Sequence, residues 1–271
     1  MSNRRPKLIA TDLDGTIVPH DGPISARTIS VFNRAHELGI EIFFVTGRPP
    51  RWMGEITEAF SMGSAICCNG GIIYDLRAEK VLEEFPIPKS NLITAVDELR
   101  RVVPSTTFAI ETKDRFHREK AYEPKWDIGQ DNTGVDSIED TFDKPILKLL
   151  ARVEESLMSA DEFLSIAEPL LGGVLTVTHS AESASLLEMS AVGVSKGETL
   201  EKMAARIGIG AQDCVSFGDN PNDFSMLKWC ARSYAMETGH PDGAKHAKFS
   251  APPCDEDGVA QIIEQLLELP A

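Results

Sequence analysis

Four short apolar runs, at residues 7–11, 40–45, 64–68 and 213–217, each end on a polar or glycine-bearing segment. Runs of this length without polar alternation suit strands buried on both faces of a parallel sheet. Between the first two runs, residues 25–38 carry Ile29, Val31, Phe32 and Ala35 at helical spacing, and Gly39 closes the pattern as a C-cap. Residues 196–207 repeat the theme with Leu200, Met203, Ala204 and Ile207 on one face, ahead of the run at 213–217 and a further helix from about Asp223. Alternation of strand and helix predicts an α/β fold, a Rossmann-like doubly wound parallel sheet.

Residues 85–188 break the alternation. Phe85, Pro86, Ile87 and Pro88 read as a linker. Beyond them the pattern predicts a helix at 92–103, a strand at 107–110, a polar stretch at 113–137, a strand at 146–151, a helix at 160–171, and strands at 174–178 and 186–189. The expected organisation is a core at 1–84, an inserted α+β cap domain at 85–188, and the core again at 189–271. Both ends of the insert adjoin the core in sequence, so it is expected to act as a lid on two hinges. The alternative is a second half of one continuous sheet.

The chain has 271 residues, 42% hydrophobic and 25% charged, as a soluble globular protein would, and its formal charge is -15. That balance argues against a nucleic-acid groove or an anionic membrane surface, both of which select clustered positive charge. An anionic small molecule fits only where a lysine or a metal ion reverses the local field. The five cysteines, Cys67, Cys68, Cys214, Cys230 and Cys254, show no Cys-x-x-Cys spacing and suggest neither a disulfide framework nor structural zinc. The apolar run after Arg4, Arg5 and Lys7 stops at Asp12, too soon for a signal peptide or a membrane span. A cytoplasmic location is the expectation; the oligomeric state is left open.

Four groups of polar residues fall at the ends of predicted core strands or at a helix start: Asp12, Asp14, Gly15 and Thr16; Thr46, Gly47 and Arg48; Lys196; and Gly218 to Asp223. Singly, the last three are ordinary: a Thr-Gly turn, a solvated lysine, a Gly-Asp-Asn-Pro loop. Jointly, at one edge of one sheet, they point to an anion site. Lys196 carries most weight, because a cation in the first turn of a helix opposes the macrodipole and calls for an anionic partner. For both aspartates to reach one site, the chain has to leave strand geometry at Leu13 or Asp14, with Gly15 permitting the turn.

The chemistry these groups can assemble is phosphoryl transfer, which requires an in-line nucleophile, a divalent cation and fixed donors to the equatorial oxygens. Asp12 supplies a nucleophile. Asp12, Asp219 and the Asp14 carbonyl suit magnesium, which prefers oxygen ligands. Thr46, the Gly47 amide and Lys196 can bind the remaining phosphate oxygens, and Asp14 is left as general acid and base.

These motifs, in this order around a cap-sized insert, resemble those of the haloacid dehalogenase superfamily phosphatases, specifically the Cof-type sugar-phosphatase branch with a large type IIB cap. The resemblance covers essentially the whole chain and implies Asp12 as nucleophile, Asp14 as acid/base, Thr46 and Lys196 as phosphate ligands and Asp219 as a magnesium ligand. It implies that Asp223 ligates metal through water or orients Lys196, and that Asn222 meets substrate phosphate or a metal-bound water. Family ATPases carry threonine where Asp14 stands, so the aspartate implies rapid turnover. Asn69 and Gly70 either touch substrate, as the matching pair does in that branch, or form a type I′ turn. Arg48 either binds a substrate group or caps local carbonyls. Arg115, His117, Arg118 and Lys120 form a local basic patch, read as a solvated loop face or as contacts to the leaving group; His179 and Glu188 are further specificity candidates. The implied substrate is a small phosphorylated metabolite. The rivals are a phosphosugar mutase and a catalytically silent binding protein.

Overall fold

The structure is a computed structural model; it describes residues 4–125, 132–181 and 184–270. It resolves into two compact units, Met1–Glu83 with Ser195–Ala271, and Glu84–Val194.

The first unit is built on an eight-stranded sheet. Its strands are β1 (Leu8–Thr11), β2 (Glu41–Val45), β3 (Ser64–Cys67), β4 (Ile72–Asp75), β5 (Lys80–Glu84), β11 (Cys214–Gly218), β12 (Arg232–Met236) and β13 (Phe249–Ala251), in the spatial order β13-β12-β11-β1-β2-β3-β4-β5. From β13 to β3 all neighbours are parallel; β4 turns back antiparallel on β3. The order reverses at β1, whose Thr11 lies level with Phe44 on one side and Phe217 on the other. A crevice opens at the carboxyl ends of such a switch point.

Helix α1 (Ala26–Glu37) begins at Ser25, whose side chain accepts the Thr28 N–H, and buries Thr28, Val31, Phe32 and Ala35. Its C-cap residue is Leu38; Gly39 follows with a φ of 78°, one position past the cap. Phe32 packs with Phe44 and Phe60 at ring separations of 5.8 and 5.6 Å. Arg27 and Arg34 pair at the surface with Glu264 of α8 (Gly258–Leu267) and with Glu268, which caps its C-terminal end. Exposed pairs contribute about 0–1 kcal/mol each, against about 1.5–3 kcal/mol for each large apolar side chain buried, so the apolar stripe decides where α1 lies. A short helix α2 (Gly54–Ala59) follows β2, while α5 (Lys196–Arg206), α6 (Phe224–Trp229) and α7 (Gly243–His246) complete the unit.

The second unit has its own antiparallel sheet, β7 (Phe116–Arg118), β6 (Thr107–Glu111), β8 (Lys148–Arg152), β10 (Leu186–Ala191) and β9 (Leu175–Thr178), in that order. Helices α3 (Lys89–Val102) and α4 (Ala160–Leu171) supply Leu92, Val96, Leu99, Phe163 and Ala167 to a core shared with Phe108, Ile110, Leu149, Leu187 and Met189. A separate antiparallel sheet excludes the single continuous sheet. The break expected at residue 188 falls inside β10, whose apolar residues keep the chain in this sheet as far as Ala191. Of the polar stretch at 113–137, residues 126–131 lie outside the described residues.

The apolar pattern anticipated neither β12, whose Arg232 and Ser233 break it, nor the α8 stripe of Val259, Ile263, Leu266 and Leu267. Helix α3 begins at Lys89 instead of residue 92, because Pro88 caps it and its first turn is polar.

Candidate active site

Asp12 follows β1 directly, and its N–H donates to the Phe217 carbonyl at 3.0 Å, which holds it level with the end of β11. The chain then leaves strand geometry. Thr16, Ile17 and Val18 all donate N–H groups to the Leu13 carbonyl, and Gly15 sits at a φ of 78°. A Cβ there would lie 2.6 Å from Asp219 Oδ2, so glycine is required both by the backbone and by the approach of Asp219.

Lys196 is completely buried at the start of α5, whose N-cap is Ser195. Its Nζ donates to Asp12 Oδ1 at 2.7 Å and to Asp223 Oδ1 at 2.6 Å. The anionic partner required of a cation at a helix N-terminus is thus two carboxylates. Burial alone would lower the lysine pKa, but the pull of Asp12 and Asp223 outweighs it and raises it above the usual lysine range. The acids respond in the opposite sense. Burial and the charge of Asp223 push the Asp12 carboxyl up to about 7 despite Lys196, and burial with Asp12 and Asp223 pushes Asp219 up to about 9.

Asp12, Asp219 and Asp223 each offer an oxygen, and these lie within 4.8 Å of one another in a buried cluster. Were all three ionised, one ammonium would leave two negative charges uncompensated, the charge and donor set that suits a hard divalent cation. The acids are not equivalent. Asp223 has Lys196 on Oδ1, and its Oδ2 accepts the N–H groups of Asp219 and Asn220 at 3.0 Å each. Asp219 is steadied by Asn220 Nδ2 at 2.7 Å, and its carbonyl accepts the His240 N–H at 2.7 Å. Asp223, with both oxygens engaged, shapes the loop and holds Lys196.

Asp14 stands apart from this cluster. Its carboxylate is 56% exposed and gripped by Arg48, Nε to Oδ2 at 2.9 Å and Nη2 to Oδ1 at 2.5 Å. Arg48 also reaches the Trp52 carbonyl and Glu55 at 3.4 Å each. Of the two roles expected for Arg48, the structure places it on a side chain, Asp14, as well as on a carbonyl. Thr46 Oγ1 accepts the Arg48 N–H at 3.0 Å, which leaves the hydroxyl proton free to donate elsewhere. Gly47 is half-buried beside it.

Asn69 and Gly70 lie in the hairpin loop between the antiparallel strands β3 and β4. Both are buried; Asn69 Oδ1 accepts from Asn222 Nδ2 at 3.2 Å, and the Gly71 N–H closes the turn on the Cys68 carbonyl at 3.1 Å. Asn222 keeps a buried Oδ1 with no hydrogen-bond partner. The contacts of Asn220 and His240 with Asp219 were not anticipated; Asn220 left only a loop-forming residue as a signal, and His240 left none.

In the second unit, Lys148 and Glu188 form a buried pair at 2.9 Å, and His179 Nε2 lies 2.7 Å from Asp161 Oδ1. Arg118 is structural: it donates to the carbonyls of Glu119, Lys120, Tyr122 and Asn132. Lys120 pairs with Asp136 at the surface, and His117 faces Lys144 at 3.5 Å.

Residues 9–263 match the family model of haloacid dehalogenase-like hydrolases. The chain is 27% identical over 270 residues to the pyridoxal phosphate phosphatase of Escherichia coli, spanning 95% of this chain and 97% of that protein. It is 26% identical over 292 residues to a 5-amino-6-(5-phospho-D-ribitylamino)uracil phosphatase of Bacillus subtilis, spanning 96% and 98%. A solved structure from Bacteroides thetaiotaomicron, described among the phosphatases of this superfamily, superposes with a TM-score of 0.81 at 22% identity, over 98% of this chain and 96% of that one. With the family model matched almost end to end and its acids gathered at the switch point of the sheet, the chain belongs to the haloacid dehalogenase-like hydrolase family.

Proposed function

We propose that this protein is a magnesium-dependent phosphatase that hydrolyses small phosphorylated metabolites of the sugar-phosphate kind through an aspartyl-phosphate on Asp12. The observation that carries the reading is the convergence of Asp12 with Lys196 and Asp219, from three distant parts of the chain, at the carboxyl ends of β1 and β11. The relatives support the substrate class, since one is named for a ribityl phosphate and another for pyridoxal phosphate, both compact phosphomonoesters.

Lys196 binds one Asp12 oxygen, which leaves the other to attack phosphorus. The phosphorus–oxygen bond to the leaving group breaks as the bond to Asp12 forms, and protonated Asp14 hands its proton to the leaving oxygen. Water then attacks the aspartyl-phosphate, Asp14 takes the water proton, and cleavage of the bond to Asp12 releases inorganic phosphate. Lys196, the Thr46 hydroxyl and the Gly47 N–H stabilise the equatorial oxygens. Each Asp14 oxygen accepts one N–H from Arg48 and keeps a second lone pair, on which a proton can be taken up or carried. Magnesium on Asp12 and Asp219 would offset the charge of the phosphoryl group and of the acids that surround it. Residues 84–194 are read as the cap that selects the leaving group.

The test is phosphate release from a panel of sugar phosphates, polyol phosphates, nucleotides and pyridoxal phosphate, with magnesium and with chelator. Wild type is expected to turn over at least one compact phosphomonoester without a bisphosphate activator, and Asp12→Asn to lose that turnover while retaining its fold. Activity retained by the folded variant would overturn the mechanism.

A further inference from the structure

Three consecutive residues of the β3–β4 hairpin loop, Cys68, Asn69 and Gly70, have positive φ angles of 53°, 55° and 107°. Left-handed backbone at two non-glycine positions persists only where surrounding contacts hold it. Here those contacts run to three separate parts of the site. Cys68 and Asn69 donate N–H groups to the carbonyls of Arg48 and Thr46, at 3.0 Å each. The Gly70 carbonyl accepts the Thr199 hydroxyl of α5 at 3.1 Å, and a Cβ on Gly70 would lie 2.5 Å from the Ser195 carbonyl oxygen. The Asn69 amide accepts from Asn222, next to Asp223.

We infer that Asn69 is a positioning residue that sets the span between the two edges of the phosphate site, Thr46 with Gly47 on one side and Lys196 with Asp223 on the other. The inference rests on the phosphatase reading and deepens it. Asn69 is 2% exposed and hydrogen-bonded to both edges, through its main chain to Thr46 and through its side chain to Asn222. Its effect therefore falls on the phosphoryl group, which all substrates share. It does not fall on the leaving group, in which they differ. Asparagine suits the position twice: it tolerates the left-handed backbone, and it supplies an acceptor that alanine lacks.

Asn69→Gly keeps the backbone accessible and deletes the amide bridge to Asn222. Expected is a loss of kcat/KM of roughly ten- to a hundredfold, by the same factor on p-nitrophenyl phosphate and on the best sugar phosphate, as for a small misplacement of fixed donors. Inorganic phosphate should bind more weakly to the variant by calorimetry, and the effect should largely vanish in an Asn222→Ala background. Thr199→Val, which removes the bond to Gly70 with little change of shape, should give the same substrate-independent loss if the first variant folds poorly. A loss that varies with the leaving group, or unchanged phosphate binding and activity in folded variants, overturns the inference. Absence of turnover in wild type would instead count against the phosphatase reading, and calorimetry with inorganic phosphate would still decide the role of Asn69.

Discussion

Arg48 holds Asp14 through both carboxylate oxygens although the two residues arrive on different loops, after β2 and β1 respectively. The group read as acid and base is thereby fixed outside the buried carboxylate cluster, on the exposed side of the site. Asp12, bonded to Lys196, lies with Asp219 and Asp223 in a buried cluster, while Asp14 is 56% exposed.

Asp14→Asn should separate the two half-reactions. On a sugar phosphate, kcat is expected to fall by about 10²- to 10⁴-fold, the usual contribution of a general acid–base group. With p-nitrophenyl phosphate the leaving group needs no proton, so stopped-flow absorbance should show a burst of p-nitrophenol followed by slow turnover. Wild-type steady-state rates in the variant would remove Asp14 from its role.

The raised carboxyl pKa values predict how the metal-free protein responds to pH. Asp12 and Asp219 hold protons in the folded state up to about 7 and about 9, whereas the unfolded chain releases them near 3.8. Folding therefore favours proton uptake between these limits, and the contribution of the cluster to stability declines as pH rises from about 4 to about 9. Thermal melts in chelator should show this decline flattened in Asp219→Asn. Magnesium should raise the wild-type melting temperature more at pH 8.5 than at pH 6, because the acids must be ionised to bind it.

Lys196→Met should be more damaging to the fold than a typical surface substitution. It removes the ammonium from a fully buried position and leaves Asp12 and Asp223 without it, and breaking a buried charge pair costs about 3–5 kcal/mol. Denaturant unfolding in the absence of metal should register that loss, and adding Asp223→Asn should recover part of it. Unchanged stability would mean that the carboxylates are compensated by something other than Lys196.

Gly15→Ala tests the approach of the first loop to Asp219. The left-handed backbone costs an alanine about 1–2 kcal/mol. The new methyl would also fall on Asp219 Oδ2, and displacing that oxygen should weaken the metal site. Magnesium titrations of activity should shift to higher concentration with maximal rate less affected; an unchanged magnesium requirement would show that Asp219 does not depend on Gly15.

The four polar groups were legible because each sits where a local pattern begins or ends: an apolar run meeting aspartate, a strand meeting Thr-Gly, a lysine at a helix start, and a strand meeting Gly-Asp-Asn-Pro. The sheet was legible in part for the same reason; among the strands it did not reveal is β12, whose pattern Arg232 and Ser233 interrupt. Side-chain partners were not legible. Nothing in the spacing of Arg48 and Asp14 announces their ion pair, and Asn69, read either as a substrate contact or as a turn residue, gave no sign of its bond to Asn222, 153 positions away.

What the amino-acid order determined alone was the alternation of buried strands and amphipathic helices, the place of the insert, and the kind of chemistry its polar residues can support. These follow from periodicities of two and 3.6 residues and from caps, which act over one or two turns of chain. The tertiary structure decided which acids lie within 4.8 Å of one another, which one is held by arginine, and which asparagine bonds to Asn222. Those outcomes depend on the register of parallel strands and on distances of a few ångströms between groups far apart in sequence, where no local pattern reaches.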